Sequence, residues 1–343
     1  MSSIHSVGSM MNFCTLFDSY YLHKGIALYL SLERVTNDFH LYVMAFDRNS
    51  YDVLTKSGFS HMTVELLDDF ETPELKAVKP TRNKAEYCWT AGPSVICHFL
   101  MKYGLDKITY LDSDLFFMSD PHIIEEEAGD SSVVITEQGI SEESAQRYGR
   151  YCVQYMTFRN DEDGLGALTW WKDKCIEWCF QIMEPTRYAD QKYLDEFPIR
   201  WKSVFVLKNL GAGIAPWNML KYQYTEHSLK YKGEEWPFVF FHMHGVIITV
   251  KDGILTAHSQ HYALNKDVTR LFFEPYAALM AEVSNKYLGQ TVVSYRVKDM
   301  NPLKKIEYKV RAWVKNNQWL TNFYFKYFKK KEVGHGTLIG ESK

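Results

Sequence analysis

The stretch Ile108-Thr109-Tyr110-Leu111-Asp112-Ser113-Asp114-Leu115-Phe116-Phe117 constrains this chain more than any other. An apolar run meets two carboxylates and then turns apolar again. Residues 108–111 have the β-branched and aromatic character of a strand buried on both faces, the habit of a parallel sheet covered by helices. In open α/β sheets ligands bind outside the carboxyl ends of the strands, and Asp112 and Asp114 stand at such an end. Residues i and i+2 of an extended chain point the same way. The two carboxylates are therefore expected to share a side and to hold a hard divalent cation, directly or through water. Such a cation also takes phosphate oxygens and offsets the negative charge that builds when a nucleotide diphosphate departs. An Asp-x-Asp alone is a weak signal, since average composition yields roughly one chance match in a chain of this length. A second copy, Asp161-Glu162-Asp163, lies in a polar run and reads as a turn. The bland alternative for the first copy is a solvated strand end with helix-capping carboxylates.

The segments around this strand alternate in period. Asn12 to Phe17, Phe39 to Phe46 and His61 to Leu66 read as strands, with helical periodicity over Leu22 to Val35 and Tyr51 to Lys56. This β-α-β-α-β order predicts a mostly parallel sheet with helices on both faces. Asp68 to Thr81 reads as a polar connection. Asn83 to Tyr103 reads as a long helix kinked or broken at Gly92-Pro93. Ser132 to Thr136, Tyr151 to Phe158, Val204 to Leu207 and Phe238 to His244 read as later strands, and Gly164 to Met183 as a helix. Asn209 to Gly213 reads as a glycine-rich loop, and Val268 to Tyr287 as helical.

With 46% hydrophobic and 15% aromatic residues among 343, the chain can bury a substantial core as one large domain or a domain with an appendage. A net charge of −3 gives no global pointer to nucleic acid. The six cysteines form no C-x-x-C pair and no zinc spacing, so buried free thiols in a reducing compartment are expected. No basic-then-apolar leader of secretory type opens the sequence, residues 1–10 read as disordered, and the apolar run Phe238 to Val250 is too short to span a bilayer. The expectation is a cytoplasmic protein, or one peripheral to the inner face of a membrane.

Four features then fall in order: a first strand running into Thr15-Leu16-Phe17-Asp18-Ser19-Tyr20-Tyr21, the Asp112-Ser113-Asp114 strand end after a long helix, Ala189-Asp190-Gln191-Lys192 opening a helix, and Phe241-His242-Met243-His244-Gly245 closing a late strand. In this order, over roughly residues 11 to 250, the chain resembles the nucleotide-sugar glycosyltransferases of the GT-A fold, and most nearly glycosyltransferase family 8 and its bacterial relatives. The resemblance implies a Rossmann-like α/β fold, a nucleotide-sugar donor (usually a UDP-sugar) and Mn2+ or Mg2+. It implies Asp112, Asp114 and His242 as metal ligands. His244, two residues on, is a rival or a supporting partner, and a histidine with two carboxylates suits manganese better than calcium. It implies Asp190 and Gln191 as the pair facing the donor sugar and the acceptor. Asp18 and Tyr21 match the base-contacting and stacking positions; their alternatives are a helix cap and a core aromatic. Thr15 and Ser113 complete the donor-side candidates. Lys79 and Arg82 are cations ahead of the long helix that could reach phosphates, with a plain surface role as the alternative. Gln154 stands where the family often has an Asn-Ser-Gly run and is held as a sugar-binding candidate, with Gly211 and Gly213 as glycines that let backbone approach a sugar. The family's Lys-Pro-Trp after the histidine motif is missing, since Val246-Ile247-Ile248 follows Gly245. Its lysine must be replaced from elsewhere, with Lys251 as one option.

The domain reading is a GT-A catalytic domain over 11–250 and a C-terminal helical extension over 251–343. Within the extension, residues 301–331 interleave lysines with Trp313, Trp319, Phe323, Tyr324, Phe325 and Phe328. Such a segment suits an anionic membrane surface, or packs its aromatic face on the main domain. The expected activity is metal-dependent transfer of a hexose to a glycan or lipid-linked acceptor, with retention favoured, in surface polysaccharide or lipopolysaccharide synthesis. The other reading is a non-catalytic nucleotide-sugar or glycan-binding protein with a degenerate site.

Overall fold

The computed structural model describes residues 10–251, 253–259 and 261–290. Its centre is a seven-stranded sheet. The strands are β1 (Met11–Phe17), β2 (Phe39–Ala45), β3 (Met62–Leu66), β4 (Lys107–Leu111), β6 (Val133–Glu137), β7 (Tyr151–Arg159) and β8 (Val204–Leu207), with β5 (Leu115–Phe117) outside it. Their order is β3-β2-β1-β4-β7-β6-β8. The pairs β1–β2, β2–β3, β1–β4 and β6–β8 are parallel, and β7 alone runs against both neighbours. The expected mixed, mostly parallel α/β architecture is what the chain adopts.

Alternating side chains of β1 feed two cores, one on each face. Met11 and Phe13 join the helix Leu22–Val35, β5 and the late helix Glu274–Val283 on one side. Cys14 and Leu16 join the helices Lys84–Lys102 and Glu162–Glu177 on the other. A period of two on the strands and 3.6 on the helices produces this division. Gly25 allows a close approach: a Cβ there would lie 2.2 Å from the Phe17 ring. The first helix therefore seats its opening turn against the end of β1.

A second sheet overlies the strand ends. It joins β5 to β9 (Ala212–Ile214) and to β13 (Phe240–His242), with β13 antiparallel to β5 and parallel to β9. Between β9 and β13, three short strands, β10 (Gln223–Tyr224), β11 (Ser228–Tyr231) and β12 (Glu234–Pro237), form an antiparallel sheet of their own. A hairpin, β14 (Val246–Lys251) and β15 (Ile254–Ser259), follows.

Several local expectations are corrected. The helix Lys84–Lys102 runs unbroken through Pro93. Its start is held by a reciprocal cap, Asn83 Oδ1 accepting from Glu86 N and Glu86 Oε2 accepting from Asn83 N, and its packing against the helix Glu162–Glu177 and β1 outweighs the lost proline hydrogen bond. The polar connection 68–81 contains short helices, Leu67–Phe70 and Pro73–Val78. The latter starts with a Thr72 cap and a proline in its first turn, with Leu67 and Leu75 buried. The run 161–164 is no free turn: Asp161 caps the helix Glu162–Glu177, which ends at Glu177 rather than Met183. The apolar run 238–250 is divided at His244-Gly245, where Gly245 takes φ 64°. Gly211 to Gly213 is partly strand rather than loop. The late helical region runs from Lys266 to Leu288 with π-helical turns at Thr269–Phe273 and Ser284–Leu288.

The boundary expected after residue 250 falls within β14, and Leu279, Met280 and Val283 share the core of the first helix. All six cysteines are free; Cys14, Cys152, Cys175 and Cys179 are buried, Cys88 and Cys97 partly so. No described helix is long and apolar enough to cross a membrane. The basic aromatic segment 301–331 lies outside the described residues, as does the side chain of Lys251.

Candidate active site

Three registers converge on one point. Leu111, the last residue of β4, stands opposite Tyr155 of β7, and Asp112 N donates to Gln154 O at 2.9 Å. The chain then turns, Leu115 N donating to Asp112 O at 3.2 Å, and enters β5. The antiparallel pairing of β5 with β13 sets Leu115 opposite His242, and Met243 N donates to Asp114 O at 2.8 Å. The turn between β4 and β5 and the end of β13 thus deliver Asp112, Asp114 and His242 to one place. Their ligand atoms lie within 4.8 Å of one another. His242 Nε2 is 3.0 Å from Asp114 Oδ1 and 3.5 Å from Asp112 Oδ2. The carboxylates converge through the turn, not through the alternation of an extended strand.

The surroundings hold this geometry. Gln154, fully buried, places Oε1 2.8 Å from His242 Nδ1 and donates from Nε2 to Thr136 Oγ1 at 3.2 Å. An outer partner of this kind fixes a ligand histidine's orientation and tautomer and leaves Nε2 for a metal. Gln154 therefore orients His242 from within the core, away from the sugar-binding position expected for it. Tyr110 Oη donates to Asp112 Oδ1 at 3.1 Å. Lys24 Nζ, from the first turn of the first helix, meets Asp114 Oδ2 at 3.1 Å. Trp217 donates from Nε1 to Gln138 O at 2.8 Å and sets its ring edge-on to His242, centroids 5.3 Å apart.

The charges respond in opposite directions. Burial alone would raise the Asp114 carboxyl, but the Lys24 ammonium and then His242 outweigh it and hold Asp114 well below the usual carboxylate range. Desolvation, and then the like charge of Asp114, push Asp112 up against the opposing pull of His242. Burial opposes charge on His242, yet Asp114 carries its ring up to about 10. Asp190 is buried and raised to about 8, by desolvation first and by the Asp112 charge second. Its backbone carbonyl accepts from Trp171 Nε1 at 2.8 Å, and Ala189 before it sits at φ 48°, a left-handed conformation costly for a residue with a Cβ.

The remaining candidates sort by their partners. His244 is not in the cluster: β13 ends at His242, so strand alternation no longer applies, and His244 is exposed in the turn. Asp18 is buried, accepts from Tyr20 N at 2.9 Å and pairs with Lys84; it does not cap the first helix. Tyr21 is about one-third exposed, with Lys24 Nζ 4.6 Å from its ring centroid. Thr15 is enclosed within β1 and Ser113 is buried in the turn. Gln191 donates from Nε2 to Tyr148 O at 2.9 Å. Lys79 pairs with Glu71 at 2.7 Å, while Arg82 stacks on Phe180 at 3.8 Å and donates to Ile176 O. Gly211 serves packing, since a Cβ there would lie 1.8 Å from Pro237 O; one on Gly213 would lie 3.3 Å from Gln154 Nε2. Sequence reasoning passed over Lys24 and Trp217. Neither had a clear signal: Lys24 stands two residues from both Leu22 and Ile26, which in a helix is the opposite side from them.

No family model matches the chain. It is 30% identical over 276 residues to the uncharacterised Bacillus subtilis (strain 168) protein YfnD, covering 78% of this chain and 88% of that protein. The chain belongs to the YfnD family. A second uncharacterised B. subtilis protein, YfnF, is 29% identical over 262 residues, 72% of this chain and 85% of its own length. Among solved structures, the galactosyltransferase LgtC, in complex with donor and acceptor sugar analogues, superposes with a TM-score of 0.50 at 12% identity, over 83% of this chain and 98% of LgtC. The YfnD-family chain described here thus has the GT-A fold of glycosyltransferases.

Proposed function

We propose that this protein is a metal-dependent glycosyltransferase that moves a hexose from a nucleotide-sugar, a UDP-sugar by preference, to a glycan or lipid-linked acceptor in surface-glycan synthesis. The observation that carries the reading is the convergence of Asp112, Asp114 and His242 at the carboxyl end of β4, ligand atoms within 4.8 Å, in a GT-A fold. The donor set fits a divalent cation: two carboxylates, one imidazole, and Gln154 behind the ring. Manganese suits this mixture, with magnesium second. Bound there, the cation would offset the charge that builds on the departing diphosphate.

The chain's own residues supply the rest. Asp18 and Tyr21, at the end of β1, are the proposed contacts for the nucleoside. Asp190, with its proton held to about pH 8 in the metal-free protein, is the proposed group facing the sugar. As a carboxylate it would stabilise oxocarbenium-like charge in a retaining transfer, or take the acceptor proton in an inverting one. Retention is favoured by the resemblance to family 8.

A thermal-shift screen of UDP, GDP, CDP and ADP, each with and without Mn2+, on the wild type and on Asp114→Ala tests the proposal. Ligand binding to the native state raises the melting temperature by mass action. The expected result is a shift with one nucleotide that requires metal and is absent in the variant. No shift with any pair removes the nucleotide-sugar site.

A further inference from the structure

Lys24 is a buried cation from an element that the Asp-x-Asp pattern does not include. Its Nζ lies 3.1 Å from Asp114 Oδ2, and its side chain is 9% exposed. The same Nζ lies 4.6 Å from the centroid of the Tyr21 ring. It therefore stands beside both the metal cluster and the partly exposed aromatic proposed to meet the base. In a nucleotide-sugar the diphosphate is the part that connects nucleoside to sugar, and it is also the part that a bound cation grips. A diphosphate that reaches from Tyr21 to the Asp112–Asp114–His242 cluster passes Lys24.

Charge points the same way. Two carboxylates offset a divalent cation, so beyond the metal's own coordination of phosphate oxygens the cluster would bring no net positive charge to a doubly or triply charged diphosphate. Lys24 adds one positive charge at the cluster's edge. An ammonium offers three N–H donors and no fixed fork, so it can meet Asp114 and a phosphate oxygen together. Two other cations ahead of the long helix are committed elsewhere, Lys79 to Glu71 and Arg82 to the Phe180 ring and Ile176 O. Gly25 adds a positional reason: its contact with Phe17 holds this turn against the strand end, so that Lys24 projects from a rigid element.

We infer that Lys24 is a diphosphate-binding residue, the cation that replaces the lysine missing after His242-Met243-His244-Gly245, and not merely a counter-ion that positions Asp114. This inference rests on the nucleotide-sugar reading above. The proposed role is to hold the leaving diphosphate by a charge-assisted hydrogen bond, which is strongest when the bridging bond has broken and the oxygen carries full charge.

The test separates the metal from the diphosphate. Mn2+ is titrated alone, and then UDP and uridine are titrated at saturating Mn2+, on wild type, Lys24→Met and Lys24→Arg, by calorimetry. The expected result for Lys24→Met is a UDP affinity lower by about 10- to 100-fold, the worth of a charge-assisted hydrogen bond. Mn2+ affinity should not fall, since the substitution removes a competing positive charge 3.1 Å from a ligand carboxylate, and uridine affinity should move by less than about threefold. Lys24→Arg should recover most of the UDP affinity. Should Lys24→Met fail to fold, Lys24→Gln takes its place in the same titrations. If UDP binds either uncharged variant as it binds wild type, or if Mn2+ affinity falls in step with UDP, Lys24 only positions Asp114 and the inference is overturned. If wild type binds neither Mn2+ nor any of UDP, GDP, CDP and ADP, the transferase reading fails and takes this inference with it.

Discussion

The chain carries the same three-residue pattern twice, and the two copies have opposite surroundings. At 161–163 the carboxylates are occupied by backbone and hydroxyl donors. Asp161 Oδ1 accepts from Gly164 N at 2.8 Å, its Oδ2 accepts from Ser132 Oγ at 2.8 Å, and Asp163 Oδ2 accepts from Ser203 N at 2.9 Å. At 112–114 the carboxylates face an imidazole and an ammonium. Backbone donors cannot leave when a ligand arrives without unravelling an element. A histidine ring nitrogen can exchange its proton for a metal. The 161–163 copy caps the start of a helix; the 112–114 copy is a place where ions of opposite sign are held together and can be rearranged.

The sharpest way to break this contrast is to neutralise one carboxylate in each copy. Asp112→Asn is expected to weaken Mn2+ binding by more than the roughly 10- to 100-fold that outer-shell partners are worth, whereas Asp163→Asn leaves it unchanged. Equal losses in a Mn2+ titration would erase the distinction. A second, smaller effect concerns Asp190, which the Asp112 charge reaches. Its folded pKa is raised from 3.8 to about 8, so the folded state binds a proton that the unfolded state has already released. Stability therefore falls as pH rises from about 4 to about 8 and is level beyond. Metal-free Asp190→Asn should melt higher than wild type by a margin that widens over that window. A margin independent of pH would show that Asp190 titrates normally. The smallest effect belongs to the structural copy: Asp161→Ala should cost about 1–2 kcal/mol, the worth of a helix cap, seen as a lower urea midpoint. Mn2+-dependent nucleotide binding should be retained, and its loss would place the 161–163 copy in the site after all.

The architecture was readable because it follows from local periods. The β-α-β-α-β opening, the buried strand 107–111 and the placement of carboxylates at its end all rest on side-chain alternation and on the rule for strand ends. Local misreadings came where tertiary packing outweighed local chemistry. Pro93 does not break its helix because the helix is packed along its length, and Asp68 to Thr81 contains short helices because Leu67 and Leu75 find a core. In the site, Asp112, Asp114 and His242 were legible, but His244 was mistaken for a rival because the run 238–250 gives no sign of where β13 stops.

What the sequence determined by itself is the list of chemical groups, the order in which the elements bring them, and the strand end at which two carboxylates stand. Only the tertiary structure decided which groups meet. The register of β13 against β5 sets His242 beside Asp114, the pairing of β7 with β4 puts Gln154 behind its ring, and the packing of Gly25 on Phe17 carries Lys24 to the same carboxylate. These contacts join residues that are 88 and 90 positions apart for Gln154–His242 and Lys24–Asp114. Pairing over such separations depends on strand register and packing against the rest of the chain, to which a local stretch of sequence carries no direct reference.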